Sequence, residues 1–194
     1  MSIENLNDTY WNGRYETQET GWDIGYPSPS FIEYFKNIDR SVKILIPGCG
    51  NSYEGEALFN MGFKNITLLD FAPISKANFL KRVPEFPEHQ FIVGDFFKQN
   101  GKFDFILEQT FFCALNPELR TDYIKQVRYL LKEKGKLVGL LFDAPLNTEH
   151  PPFGGDLATY KSQFSTYFTQ VKMIPCLNSI VPRAGKELWI EIGI

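Results

Sequence analysis

What this 194-residue chain lacks narrows its function first. It has only 3 cysteines, Cys49, Cys113 and Cys176, odd in number and far apart, which fits reduced thiols and excludes a disulfide framework or a zinc cluster. Its 2 histidines, His89 and His150, stand without metal-ligand spacing, so no metal site is expected. An excess of one charge is also missing: the net charge is −3 and lysines and arginines are scattered, so no nucleic-acid partner is expected. No apolar run approaches membrane-spanning length, and Met1 to Tyr10 has neither the basic nor the apolar block of a secretory leader. A cytoplasmic protein that does not enter a membrane is the expectation.

What is present describes one globular domain over residues 1–194, with 43% hydrophobic and 22% charged residues. Aromatics reach 15%, including 18 Phe; most must be core, while those in loops and near the N-terminus can line a pocket for a cation or a flat apolar ligand. Met1 to Pro29 has no clean period and reads as a lid or wrapping arm. Ser30-Phe31-Ile32-Glu33 reads as a capping box opening a helix to about Ile38. Strands over 42–46, 66–70, 90–93 and 103–108 then alternate with helices over 53–61 and 75–82. The stripe Leu115, Leu119, Ile124, Val127, Leu130 and Leu131 predicts a long helix that stops near Gly135, followed by a strand over 136–142 and a helix over 156–164. Two terminal strand-like runs, 170–176 and 188–192, are suited to an antiparallel edge. The alternation predicts an α/β fold: a mostly parallel sheet with helices on both faces.

The most informative run is Ile44-Leu45-Ile46-Pro47-Gly48-Cys49-Gly50-Asn51-Ser52, followed by a strand ending in Asp70. Gly48 and Gly50 let the backbone turn tightly against a ligand. Asn51 or Ser52 is placed to cap the next helix, with Gly62 as its stop. Asp70 follows about twenty residues after the second glycine, where a carboxylate takes ribose hydroxyls. The third glycine of a dinucleotide fingerprint is missing, as is the lysine of a phosphate-binding loop, so a phosphate-free nucleoside such as S-adenosyl-L-methionine suits the turn better. Ligands bind such sheets at the carboxyl ends of the strands, and carboxylates stand at or just past four of those ends: Asp70, Asp95, Glu108 and Asp143.

These residues resemble the S-adenosylmethionine-dependent methyltransferases of the thiopurine methyltransferase family, including its halide and thiol branch. The likeness runs nearly end to end, through Trp11 with Arg14-Tyr15, Thr20-Gly21-Trp22-Asp23, Pro27-Ser28-Pro29, the Gly48 to Gly50 turn, Gly94-Asp95-Phe96-Phe97, Pro151-Pro152-Phe153, and Glu108 to Pro117 with Arg120 and Tyr123. The Gln109-Thr110-Phe111-Phe112-Cys113 segment looks more like the halide and thiol branch. The resemblance implies a single-domain Rossmann-like class I methyltransferase with a seven-stranded sheet, whose final hairpin inserts one antiparallel strand. It implies that Trp11 and Trp22 cover the cofactor, that Gly48, Gly50, Asp70 and Phe71 contact it, that Asp95 and Phe96 meet the adenine, and that Glu108 and Thr110 lie near the methionine end. Arg183 matches a family arginine near the acceptor, with a surface arginine as the alternative; Tyr15 and Phe153 are candidates for the acceptor pocket or for packing.

The implied reaction is an in-line methyl displacement onto a small soft nucleophile: a thiol, hydrosulfide, halide or thiopurine. Such an acceptor needs no strong general base, and none is assigned. A catalytically silent cofactor-binding module and, less favoured by the incomplete fingerprint, a NAD(P)-dependent oxidoreductase are the alternatives. The sequence leaves the oligomeric state open, a monomer included.

Overall fold

A computed structural model describes residues 6–194. The first five residues of the expected arm lie outside the described residues. The elements follow the order α1 (Asp8–Glu16), α2 (Pro29–Phe35), β1 (Ile44–Pro47), α3 (Tyr53–Asn60), β2 (Ile66–Asp70), α4 (Pro73–Arg82), β3 (Phe91–Val93), β4 (Phe103–Gln109), α5 (Arg120–Leu130), β5 (Leu131–Phe142), α6 (Leu157–Ser165), β6 (Gln170–Pro175) and β7 (Glu187–Gly193). The strands form one seven-stranded sheet in the order β3-β2-β1-β4-β5-β7-β6. Strands β1 to β5 are parallel, and β7 enters antiparallel between β5 and β6.

Alternation along the buried strands sorts side chains to two cores. On one face Ile44, Ile46 and Leu68 pack with Phe31 and Phe35 of α2, Leu58 and Phe59 of α3 and Phe79 of α4. On the other, Leu45, Leu69 and Ile106 pack with Tyr123, Ile124, Val127 and Leu130 of α5 and with Tyr160 and Phe164 of α6. Covering both faces of the central strands is what their largely apolar sequences require.

Four local readings change. Residues 8–16 form a helix, capped by the Asn7 side chain on the Tyr10 N–H at 3.0 Å, although none of its residues is buried. Its stripe faces a cavity instead of the core, so no apolar period marks it. The capping box at Ser30 does not form. Pro29 takes the first helical position, where its missing N–H costs nothing, and Ser30 Oγ donates to Asn178 Oδ1 at 2.6 Å. Neither Asn51 nor Ser52 caps α3 through its side chain: Ser52 lies in the left-handed region at φ +53°, with its Oγ close under Gly55.

The long helix expected from Leu115 is broken. Pro117 disfavours helical backbone at Asn116, short 3-10 turns cover 112–114 and 117–119, and α5 begins at Arg120. Leu131 starts β5, paired with Phe103, and Gly135 sits at an irregularity in that strand, where a Cβ would lie 2.8 Å from the Phe103 carbonyl oxygen. The terminal hairpin pairs as the sequence suggests.

Candidate active site

Because β1 lies between β2 and β4, the loops leaving these three strands meet at the point where strand order reverses, the usual crevice of such a sheet. Gly48 and Gly50 both sit in the left-handed region, at φ +56° and +54°. A Cβ on Gly48 would lie 2.2 Å from the Phe111 ring, and one on Gly50 would lie 2.8 Å from Tyr15 Oη. The turn is therefore closed by the Phe111 ring at Gly48, while a side chain at Gly50 would have to displace the Tyr15 hydroxyl.

Asp70 at the tip of β2 fastens this turn. Its Oδ2 accepts from the Gly50 N–H at 2.7 Å and its Oδ1 from the Ala72 N–H at 2.9 Å. Each oxygen keeps a lone pair for a further donor. Burial raises the Asp70 carboxyl above its ordinary value, opposed by the Ala72 and Gly50 N–H groups.

Helix α1 and the turn after it cover the crevice. Trp11 and Trp22 meet edge to face with centroids 5.4 Å apart, and Tyr15 meets Trp22 in the same way at 5.7 Å. Trp22 is held from two directions. Arg183 Nη2 donates to its carbonyl oxygen at 2.9 Å, and Asn51 Nδ2 donates to Asp23 Oδ2 on the next residue. Beneath this cover is a cavity of about 360 Å³, of the size that suits a small molecule.

Trp11, Tyr15, Trp22, Gly48, Gly50, Asp70, Phe71, Phe96, Thr110 and Arg183 all line that cavity. Thr110 follows β4 at φ +59°, an uncommon conformation for a β-branched residue. Arg183 is only 8% exposed; its Nη1 lies 3.6 Å from Glu187 Oε1 and has no hydrogen-bond partner.

Three expected site residues stand elsewhere. Asp95 accepts from the Phe97 N–H at 2.8 Å and lies 3.7 Å from Lys98 Nζ, capping a 3-10 turn outside the cavity lining. Glu108 is wholly buried behind the cavity wall, where it accepts from the Phe111 and Phe112 N–H groups and the Tyr123 hydroxyl. Phe153 is 1% exposed and its N–H donates to the Cys113 carbonyl, so Pro151 and Pro152 reach the cavity in its place. Asp143, at the end of β5, accepts from the Leu157 N–H at the start of α6.

The reading of the sequence missed Tyr10 and Arg14 on α1, and Phe111, Cys113, Leu115 and Phe142 in the wall. The signal for the first pair was present: Tyr10, Trp11, Arg14 and Tyr15 fall one turn apart on a single helical face. The Cys113 thiol in this wall is no nucleophile near neutrality. Burial, assisted by the Glu108 charge, pushes it up to about 12. Among the described residues, no group of three or more His, Cys, Asp or Glu side chains could hold a metal ion, and no helix is long and apolar enough to cross a membrane.

Comparison with known proteins agrees with this geometry. The profile of the thiopurine S-methyltransferase (TPMT) family matches residues 6–187. Probable thiol methyltransferase 2 of Arabidopsis thaliana is 27% identical over 184 residues, covering 91% of this chain and 81% of that protein. Thiopurine S-methyltransferase of Vibrio cholerae is 22% identical over 208 residues, covering 93% and 95%. Among solved structures, the 1,6-didemethyltoxoflavin-N1-methyltransferase of Burkholderia thailandensis, with 1,6-didemethyltoxoflavin and S-adenosylhomocysteine bound, aligns with TM-score 0.73 at 14% identity over 95% of this chain and 85% of that one. At that identity the likeness establishes the fold.

Proposed function

The chain belongs to the thiopurine S-methyltransferase family, and from that premise we propose that it methylates a small, soft nucleophile that enters the cavity already ionised: a thiolate, hydrosulfide or halide. The cofactor of this chemistry is S-adenosyl-L-methionine, which when bound supplies an electrophilic methyl group on a sulfonium.

The residues present fit that molecule. Asp70 keeps free lone pairs for two hydroxyl donors beside a turn that admits no Cβ. Trp11 and Trp22 present aromatic surface above it, suited to a cation. Gly48, Gly50, Phe71, Phe96 and Thr110 complete the walls on the cofactor side.

The observation that carries the acceptor class is the cavity's titratable content. Tyr10, Arg14, Tyr15, Asp70, Cys113 and Arg183 are the titratable residues that line it. Burial raises Tyr15 far above its ordinary range and Cys113 to about 12, so neither serves as a base near neutrality. Asp70 is engaged with the glycine turn. A site without a free base suits a nucleophile that needs no proton removed, and Arg183, although it shares its charge with Glu187 at 3.6 Å, lines the same cavity as a cationic side chain. The remaining wall, Cys113, Leu115, Phe142, Pro151 and Pro152, is weakly polar and leaves a soft anion poorly hydrated. The relative from Arabidopsis thaliana named as a probable thiol methyltransferase supports the same reading. The three cysteines are free thiols, which supports placing the protein in the cytoplasm.

Incubation with labelled S-adenosyl-L-methionine and a panel of thiols, hydrosulfide, iodide, bromide and thiopurines tests the proposal; turnover confined to neutral amines or alcohols would reject it. Arg183→Ala is expected to raise KM for anionic acceptors about tenfold or more, from loss of a charge-assisted contact of roughly 1.5–3 kcal/mol. Calorimetry with S-adenosylhomocysteine is expected to show a smaller loss, reflecting only the contact to the Trp22 carbonyl. Equal losses for anionic and neutral acceptors would remove Arg183 from the acceptor side.

A further inference from the structure

Glu108 lies near the end of β4, fully buried and outside the cavity lining. Three donors converge on its carboxylate. The Phe111 and Phe112 N–H groups donate to Oε1 at 2.9 and 2.8 Å, and the Tyr123 hydroxyl of α5 donates to Oε2 at 2.5 Å. Its neighbour on β5 is Gly139, where a Cβ would lie 2.5 Å from Glu108 Cβ and 2.3 Å from its carbonyl oxygen. A side chain on β5 at this position would collide with the β4 backbone at Glu108.

The segment held in this way is the cavity wall. Thr110, Phe111, Cys113, Ala114 and Leu115 face the cavity, and the segment opens on the left-handed Thr110. Such a turn does not hold itself in place and needs support from the surrounding structure.

We propose that Glu108 is a positioning residue for methyl transfer, its carboxylate clamping the 110–115 wall from behind and so setting where the acceptor rests. This rests on the methyltransferase reading above. An ionised carboxylate only accepts, and here it meets three donors. Protonation makes one oxygen a donor; facing the Tyr123 hydroxyl, it leaves one hydrogen of the trio without an acceptor.

Burial pushes Glu108 up to about 7, opposed by the Phe112 N–H, the Tyr123 hydroxyl and the Phe111 N–H. Protonation leaves the Phe111 and Phe112 N–H bonds to Oε1 in place but without charge assistance, so the wall is held more tightly above neutrality than below it. The titratable groups around Glu108 are Tyr123 from α5 and Cys113 from the wall, with the guanidinium groups of Arg120 and Arg183 acting on Cys113. Burial raises Tyr123 well above its ordinary value and Cys113 to about 12, so neither ionises across this span.

Iodide, whose charge does not change with pH, isolates the effect. KM for iodide is expected to rise about two- to tenfold as pH falls from about 8 to about 6, the size of one lost hydrogen bond. Glu108→Gln, isosteric with the protonated acid, is expected to give a flat profile at the acid level. Tyr123→Phe removes a donor to the ionised form and is expected to move the limb to higher pH. In the cofactor-free protein, the Phe111 and Phe112 backbone amide resonances should titrate with a midpoint near 7 and lose that response in Glu108→Gln. His89 and His150 remain in that variant, so only a limb absent from it belongs to Glu108.

A Glu108→Gln profile that keeps the wild-type limb, or Phe111 and Phe112 resonances indifferent to pH, would overturn the clamp. Calorimetry of the wild-type protein with S-adenosylhomocysteine separates the two readings. No binding and no turnover rejects the methyltransferase reading, with the amide titration still judging the clamp; binding and turnover with a flat KM reject the clamp alone.

Discussion

Gly48→Ala is expected to reduce S-adenosylhomocysteine affinity more than about hundredfold and to lower the melting temperature by roughly 4–20 °C. The left-handed backbone at φ +56° costs a residue with a Cβ about 1–2 kcal/mol. The added carbon would also lie 2.2 Å from Phe111 Cδ2 and 2.6 Å from Cγ, an overlap of the kind that costs about 1–3 kcal/mol. The Phe111 ring cannot readily step aside, because it packs edge to face on Phe96 at 5.3 Å and on Tyr123 at 5.9 Å. The two costs together, about 2–5 kcal/mol, correspond to that melting shift in a chain of this length. Relief requires forcing Phe111 from that packing into the cavity or reshaping the turn, and either change spoils the ligand site. Gly62→Ala is the control: φ is +97° there too, but the space around it is open, so about 1 kcal/mol of stability and no affinity should be lost. Equal effects at the two positions would mean that close packing under Gly48 is not what the turn requires.

The parallel strands were legible because strands covered on both faces must be short and largely apolar, as Ile44 to Ile46 and, with only Thr67 polar, Ile66 to Leu69 are. The glycine turn and Asp70 were legible for a related reason: positive φ and a strand-end carboxylate are backbone requirements that leave residue types behind. Helix α1 was not legible, since its ordered face looks into a cavity and its apolar count is low. The Leu115 to Leu131 stripe misled because Leu131, in helical register with Val127, is buried by a strand instead.

Glu108 shows where a strand-end carboxylate becomes ambiguous. Asp70 and Glu108 look alike in the sequence, each closing an apolar strand. Their fates differ through tertiary donors: Tyr123 and the turn at Phe111 and Phe112 draw Glu108 inward. Asp95 differs again: its Oδ1 accepts from the Phe97 N–H of the turn that follows it, and the residue stands outside the cavity lining. A carboxylate at such a rim thus reads as ligand-binding only when it lines the cavity and keeps lone pairs free.

Asp70 meets that condition, and its removal should weaken the cofactor site directly. Asp70→Ala is expected to raise the S-adenosylhomocysteine Kd about ten- to hundredfold, roughly 1–3 kcal/mol, the worth of charge-assisted hydrogen bonds to hydroxyl donors. The Gly50 N–H loses its acceptor in the same step, so the turn loosens as well. Asp70→Asn separates the two contributions, because its amide oxygen still accepts once while its NH2 faces the backbone donors. The pH dependence has a definite sign. Hydroxyl donors prefer the ionised carboxylate, and burial raises its protonation range, so affinity should fall as pH descends into that range. Asp70→Asn should bind weakly at every pH and lack that limb. Calorimetry across pH on both variants and the wild-type protein measures all of this; an Asp70→Ala variant with wild-type affinity would place the nucleoside elsewhere and leave the crevice between β1, β2 and β4 without its ligand.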